Sequence, residues 1–127
     1  MARLMSVTLT EQAVIARQKT VTRRLGWQML KPGDQLSLCR KVMGRKRADG
    51  TVEPLVRLAH VEVVTTRRER LNQITDMDVV REGFPVWTRT QFIDFFCREM
   101  KTHPQVPLTR IEWRYVDPAA TRPEAAP

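Results

Sequence analysis

The sequence contains few of the residues that build disulfide or zinc scaffolds. It has two cysteines, Cys39 and Cys97, which lie 58 positions apart, and two histidines, His60 and His103, with no C-x-x-C motif. Two isolated thiols fit a reducing compartment, so we expect a cytoplasmic protein without structural disulfides. Four scattered candidate ligands do not make a zinc site, and we expect no metal and no other cofactor.

Long hydrophobic runs are also missing. The longest run is four residues, Ala13–Ala16, whereas a membrane span needs roughly 18. Glu11 and Gln12 interrupt the stretch after Arg3 in which a signal-peptide core would lie, so we expect neither secretion nor a membrane partner. With 127 residues, of which 42% are hydrophobic and 28% charged, the composition is that of one globular domain.

Acidic residues are scarce between positions 17 and 47. This segment holds ten basic residues and one acid, Asp34, a net charge of +9, so the remaining 96 residues together carry −1 of the overall +8. Such asymmetry indicates a polyanionic partner, of which nucleic acid is the usual one, although a solvated basic surface is the alternative interpretation. No amphipathic helix with large apolar anchors accompanies the charge, which disfavours binding to a membrane surface.

The pattern of hydrophobic residues predicts an α+β fold. Two capping-box signals, Thr8 with Glu11 and Thr88 with Gln91, predict helices over 9–18 and 89–101. We expect the first helix to bury Leu9, Ala13 and Ala16 or their neighbours. Period-two alternation and β-branched residues predict strands over 19–24, 35–39, 55–66 and 108–116, with a short helix over 76–81.

A sheet of this size protects its edges most simply by curling, so we predict a small, mostly antiparallel β-barrel with flanking helices. The folded domain should span residues 1–116. Residues 117–127 are polar and rich in proline and alanine, which predicts a disordered C-terminal tail.

Two pairs of motifs carry a resemblance to one family. The first pair is KTVTRR at 19–24 followed by KPGDQL at 31–36; the second is REGF at 81–84 followed by FIDFF at 92–96. In this order and spacing the sequence resembles the ASCH domain of the PUA-like superfamily over roughly residues 4–116. One departure is Arg17, which stands where the family usually has glycine two positions before the motif lysine.

The resemblance implies a small barrel with a cleft beside its helices, and binding of RNA or nucleotides. In some small bacterial members a lysine, a threonine and a glutamate hydrolyse the amide of N4-acetylcytidine. By motif position these catalytic residues correspond to Lys19, Thr22 and Glu82. The alternative interpretation of Glu82 is a helix-end carboxylate before the terminating Gly83.

Catalysis places a demand on Lys19. An exposed lysine has a pKa of about 10.4, so to act as the base that activates Thr22 it would need this pKa lowered by roughly 3 units. Burial and the neighbouring Arg23 and Arg24 act in that direction, whereas pairing with Glu82 acts against it. The sequence leaves the balance open.

Our first hypothesis is therefore a monomer that binds RNA, another single-stranded nucleic acid or a nucleoside; an N4-acetylcytidine amidohydrolase and a protein-binding adaptor are the alternatives. Basic side chains would contact phosphates, and an aromatic side chain after Pro85 would stack on a base. The residues predicted to bind nucleic acid are Lys19, Arg23, Arg24, Arg40, Lys41, Arg45, Lys46, Arg47 and Trp87.

Overall fold

The structure is a computed structural model and describes residues 2–40, 48–51 and 55–117. Within these ranges the chain forms five strands and three α-helices. The strands are β1 (Arg3–Ser6), β2 (Val21–Arg24), β3 (Gln35–Cys39), β4 (Arg57–Arg70) and β5 (Pro107–Tyr115). The helices are α1 (Glu11–Ile15), α2 (Asp76–Arg81) and α3 (Arg89–Met100), with short 3₁₀ turns at Thr8–Thr10 and Leu71–Gln73.

The strands form one sheet in the order β1-β3-β4-β5-β2. The β1–β3 pair is parallel, and the other three pairs are antiparallel. The sheet curls into a half-barrel, helped by an irregularity in β4 between Val63 and Thr65 that increases the local twist. The Arg24 side chain links the two edge strands: its Nη2, on β2, donates a hydrogen bond to the Ser6 carbonyl of β1 at 2.8 Å. The predicted α+β class and small, mostly antiparallel barrel architecture are confirmed.

Strand β5 separates two hydrophobic clusters. Ile111 and Trp113 point into the curl of the sheet, where they pack with buried residues of β1, β3 and β4. Leu108, on the opposite face, packs against the helices with Val79 of α2 and Phe92 of α3. The face of β5 that carries Leu108 therefore lies toward α2 and α3, and the two clusters hold the helices beside the sheet.

The helix over 89–101 agrees with its prediction, because Thr88 and Gln91 form the expected capping box. The prediction for the first helix is wrong in its extent, since a 3₁₀ turn precedes α1, and α1 ends at Ile15. The Glu11 carboxylate makes its contacts with Arg40 instead of capping the helix. Val14 of α1, a neighbour of Ala13, is buried, whereas Leu9 lies in the 3₁₀ turn and is 59% exposed.

The folded part of the chain continues to the end of β5, after which the backbone N–H of Val116 donates to the His60 carbonyl at 2.9 Å. The predicted tail lies outside the described residues apart from Asp117. Residues 41–47 also lie outside them.

Candidate functional site

A cavity of about 200 Å³ lies where the edge strands meet the helices. Its polar wall is formed by Lys19, Thr22, Arg23, Arg24 and Glu82. Its apolar wall is formed by Phe84, Phe92, Phe95, Phe96 and Met100. Pockets for drug-sized ligands begin at about 300 Å³, so this cavity suits a small ligand or a single ring.

Strand β2 supplies residues to the cavity from both of its faces because it is an edge strand. Thr22 pairs with the core residue Ile111, so Thr22 and Arg24 lie on the face that looks into the curl of the sheet. Arg23 pairs with Arg110 and lies on the face covered by α2. Because side chains alternate along a strand, residues from both faces of β2 reach the cavity.

Hydrogen bonds fix both the backbone carbonyl and the side-chain nitrogen of Lys19. Its carbonyl accepts hydrogen bonds from Trp113 Nε1 at 2.9 Å and from the hydroxyl of Tyr115. Its Nζ donates to the Glu82 carbonyl at 2.7 Å and to Glu82 Oε1 at 3.0 Å. Lys19 and Glu82 are 2% and 3% exposed, respectively, so this is a buried ion pair beside a cavity.

Burial lowers the pKa of the Lys19 ammonium. The charge of Glu82 acts in the opposite direction, and Arg24 and Arg23 add to the lowering. The net effect, which the sequence left open, is a lowered pKa, so Lys19 loses its proton more easily than an exposed lysine does.

Thr22 is buried with its hydroxyl oxygen accepting a hydrogen bond from Arg24 Nε at 3.1 Å. Several donor positions at the polar wall remain without a partner among the described residues. They are the proton of the Thr22 hydroxyl, Nη1 of Arg24 and, in the charged form of Lys19, the third hydrogen of its ammonium, which has three donors and uses two. A ligand with exposed acceptors would satisfy them.

Arg23 was predicted to contact nucleic acid, and its guanidinium lies among three carboxylates. Its side chain is 1% exposed, and it donates to Glu69 Oε2 at 2.7 Å, Asp78 Oδ2 at 2.6 Å and Glu82 Oε2 at 3.2 Å. Asp78 also accepts from Arg110 at 2.7 Å. Burial raises the pKa of Asp78, but the hydrogen bonds from Arg110 and Arg23 outweigh it and hold that pKa well below its usual range.

Arg17, which replaces the usual glycine of the motif, keeps a glycine-like backbone. Its φ is +58°, in the left-handed region that non-glycine residues rarely adopt. Its guanidinium carbon lies 5.5 Å from the centre of the Tyr115 ring, a cation–π contact. Tyr115 also donates a hydrogen bond to the Lys19 carbonyl, so Arg17 packs against a residue that positions Lys19.

The other predicted binding residues lie elsewhere. Trp87 does not line the cavity but stacks on Phe84, which does, with ring centres 4.2 Å apart. Arg40 pairs with Glu11 at the surface at 2.8 Å. The predicted phosphate contacts Lys41, Arg45, Lys46 and Arg47 lie outside the described residues.

Sequence reasoning missed the apolar wall. Phe92, Phe95 and Phe96 entered the sequence analysis only as part of the motif at 92–96, and their helical spacing does not show that they border a cavity. Phe84 was recognised only as part of the E-G-F motif. Helical periodicity separates buried from exposed positions and does not separate a core from a cavity wall.

Within the described residues, no helix has the length and apolarity needed to cross a membrane. In the same part of the chain, no group of three or more His, Cys, Asp or Glu side chains is placed to hold a metal ion.

No protein-family model and no curated protein matches this sequence. Solved structures with a similar fold do exist. The ASCH domain from Lactobacillus crispatus aligns over 89% of this chain and 79% of its own, with 12% identity and a TM-score of 0.58. An ASCH structure from Zymomonas mobilis aligns over 87% of this chain and 65% of its own, with 15% identity and a TM-score of 0.52.

A protein from Enterococcus faecalis has a similar structure, with 17% identity over 84% of this chain and 66% of its own and a TM-score of 0.57. At these identities the likeness concerns the backbone, and two of these similar structures are ASCH domains. The resemblance seen in the motifs and the arrangement of the strands agree: this protein has the fold of an ASCH domain.

Proposed function

We propose that this protein binds RNA or another single-stranded nucleic acid by taking one unpaired base into the cavity. The observation that carries the proposal is the contrast between the two cavity walls. Free donors of Lys19, Thr22 and Arg24 line one part of the cavity, and another part of its lining is largely aromatic. A nucleobase presents acceptors at its edge and a π-face to an aromatic side chain, so it matches both walls.

The volume and charge of the site agree with this proposal. About 200 Å³ accommodates one ring with its substituents but no extended ligand. Carboxylates pair with Lys19 and Arg23, whereas Arg24 at the cavity has no carboxylate partner among the described residues, and the chain as a whole carries +8. A sugar-phosphate backbone at the mouth would therefore be attracted, while the base enters the cavity.

Fluorescence anisotropy with a short fluorescently labelled single-stranded RNA tests this proposal. We expect affinity to fall as salt increases, with a log–log slope of about −0.7 per neutralised phosphate. DNA of the same sequence and the RNA duplex are measured in parallel, and the duplex should bind more weakly because its bases are paired. Affinity that stays flat from 50 to 200 mM salt would contradict the proposal.

A matched pair of variants separates the cavity from general charge. Arg24→Met and Arg114→Met each remove one positive charge, but Arg24 lines the cavity and Arg114 is 64% exposed on β5, where it pairs with Glu62. We expect Arg24→Met to weaken RNA binding at least tenfold. Arg114→Met should weaken it much less, because it removes one exposed charge that solvent and salt already screen. Equal losses would show that the cavity is not involved.

The second candidate function is hydrolysis of N4-acetylcytidine, and the lowered pKa of Lys19 beside Thr22 and Glu82 favours it. In this reaction neutral Lys19 accepts the Thr22 proton as the hydroxyl oxygen attacks the acetyl carbonyl. The C–N bond then breaks and N4 leaves with a proton, held by the Lys19–Glu82 pair, as the amine of cytidine. Water hydrolyses the remaining threonine ester and releases acetate.

Release of cytidine and acetate from N4-acetylcytidine tests this second candidate directly. Lys19→Ala, Thr22→Ala and Glu82→Ala should each abolish turnover, and Thr22→Ser should retain part of it because it keeps a hydroxyl. Absence of turnover in the wild-type protein, or its survival in all three alanine variants, would exclude this activity.

A further inference from the structure

Buried ionic groups form a continuous chain that ends at the cavity. Beginning away from the cavity, Nε of Arg110 donates to Asp78 Oδ2 at 2.7 Å, and Arg23 donates to the same atom at 2.6 Å. Arg23 also donates to Glu82 Oε2 at 3.2 Å, while Glu82 Oε1 accepts from Lys19 at 3.0 Å. With Glu69, which also binds Arg23, the cluster contains three cations and three carboxylates.

The two central carboxylates come from one side of α2. Asp78 lies in its first turn, and Glu82 is the residue at its C-terminal end, four positions later. Positions i and i+4 share a helix face, so both side chains point at β2, where the single guanidinium of Arg23 reaches both. Glu82 therefore has one carboxylate oxygen on Arg23 and the other on Lys19.

We propose that Arg23 is a positioning residue. By binding Oε2 of Glu82, it directs Oε1 to Lys19 and prevents Oε2 from accepting a second hydrogen bond from the lysine. The inference rests on the proposed function of the cavity, because it assigns Arg23 a role in preparing Lys19 for a ligand rather than in touching one. Arg23 itself has no exposed surface to offer a phosphate, since its side chain is 1% exposed.

The charged groups around Lys19 support this role. Glu82 at the end of α2 faces its amine, and Arg23 and Arg24 face it from β2. From β5, Tyr115 and Trp113 bind its carbonyl rather than its amine. If Arg23 releases Glu82, both carboxylate oxygens become available to the lysine and a neighbouring positive charge moves away, so the ammonium form gains stability.

The chain offers a matched control for this inference. Arg23→Lys and Arg110→Lys each keep a buried positive charge beside Asp78, which favours folding of both variants. A lysine at 23 is a point charge and cannot span Asp78 and Glu82 as the planar guanidinium does. Arg110 is buried to a similar extent (4% exposed against 3%) and shares Asp78, but Glu82 accepts none of its hydrogen bonds.

The measurement is a pH titration of the lysine Cε signals by NMR in protein labelled with ¹³C-lysine. The wild-type chain contains five lysines and each variant six, so the Lys19 signal is assigned in each of the three proteins from a sample that also carries Lys19→Met. We expect the Lys19 midpoint to rise by about 1 unit in Arg23→Lys and to stay at the wild-type value in Arg110→Lys. An unchanged midpoint in Arg23→Lys, or an equal rise in both variants, would overturn the inference.

RNA affinity is measured on the same samples and keeps the two proposals separate. If the Lys19 midpoint rises in Arg23→Lys because both oxygens of Glu82 now accept from its ammonium, no hydrogen of Lys19 remains for a base. The proposed function then predicts about tenfold weaker RNA binding by that variant than by Arg110→Lys. A rise in the midpoint when the wild-type protein binds no RNA would refute the proposed function while leaving the link from Arg23 to Lys19 intact. If the wild-type protein binds RNA but the Lys19 midpoint is unchanged in Arg23→Lys, the inference about Arg23 is refuted and the proposed function stands.

Discussion

The amine of Lys19 lies 3.0 Å from Oε1 of Glu82, although the two residues are 63 positions apart in the chain. This distance joins the end of α2 to the segment that leads into the edge strand β2. Both groups are buried, so their charges are only weakly screened by solvent, and the free energy of their interaction depends on the partners that surround them.

Glu82→Gln should destabilise the fold and also change Lys19. Removing one member of a buried ion pair leaves the other uncompensated, which costs about 3–5 kcal/mol. Because Glu82 raises the pKa of Lys19 against the effect of burial, its loss should lower that pKa further. Urea unfolding and lysine NMR titration measure the two effects. A Lys19 pKa that rises in this variant would contradict the assignment of charges at the site.

Asp78→Asn should show a pH-dependent loss of stability. The folded-state pKa of Asp78 is held below its unfolded value of about 3.9. Its contribution is therefore fully present above that value and is lost as the pH falls toward the folded-state pKa. We expect wild type to exceed Asp78→Asn by about 3 kcal/mol at pH 6, with the gap narrowing below pH 4. A gap that stays constant down to pH 2 would show that Asp78 is not held ionised by Arg23 and Arg110.

Gly83→Ala should disturb the junction that carries Glu82. Gly83 has a φ of +108°, and an added Cβ would lie 2.9 Å from the Ala13 Cβ of α1. The control is Gly33→Ala, where φ is +94° and nothing lies within 4 Å of the added Cβ, so only the backbone cost applies. That cost is about 1–2 kcal/mol, and we expect Gly83→Ala to lose more stability in urea unfolding. Equal losses would mean that α1 and α2 are not closely packed there.

Arg17 tests the value of the contact with Tyr115. Arg17→Ala keeps a Cβ at a φ of +58° and removes the guanidinium from the ring, so it should lose about 0.5–1 kcal/mol. Arg17→Gly loses the same contact but relieves about 1 kcal/mol of backbone strain, so its stability should be close to that of the wild type. If Arg17→Gly is the less stable of the two in urea unfolding, the left-handed turn is not present in solution.

The sequence predicted most accurately the features that depend on neighbouring residues. The capping box at Thr88 and Gln91 and the strand predicted over 108–116 rest on local patterns, and both are present in the structure. The alternation does not extend to burial in the first half of β5, where Thr109 and Arg110 are buried as well. Lys19, Thr22 and Glu82, which were matched by motif position, all line one cavity.

The surroundings of the site could not be predicted, because they come from long-range contacts. The burial of Arg23 depends on Glu69 and Asp78, which lie 46 and 55 positions away. The first helix was predicted to start too early because Glu11 was read as a capping residue, whereas its partner is Arg40, 29 positions away. Its end was predicted too late because Arg17 adopts the left-handed conformation, which does not continue a helix. A sequence pattern shows which residues carry charge but not which distant partner neutralises them.

The most direct test of the central claim is the crystal structure of the protein with a short single-stranded RNA of four nucleotides. The account predicts one base inside the cavity, with its edge on Thr22 and Arg24 and its face against the wall formed by Phe84 and Phe95. A complex in which the RNA lies elsewhere on the surface and the cavity holds no base would contradict the claim.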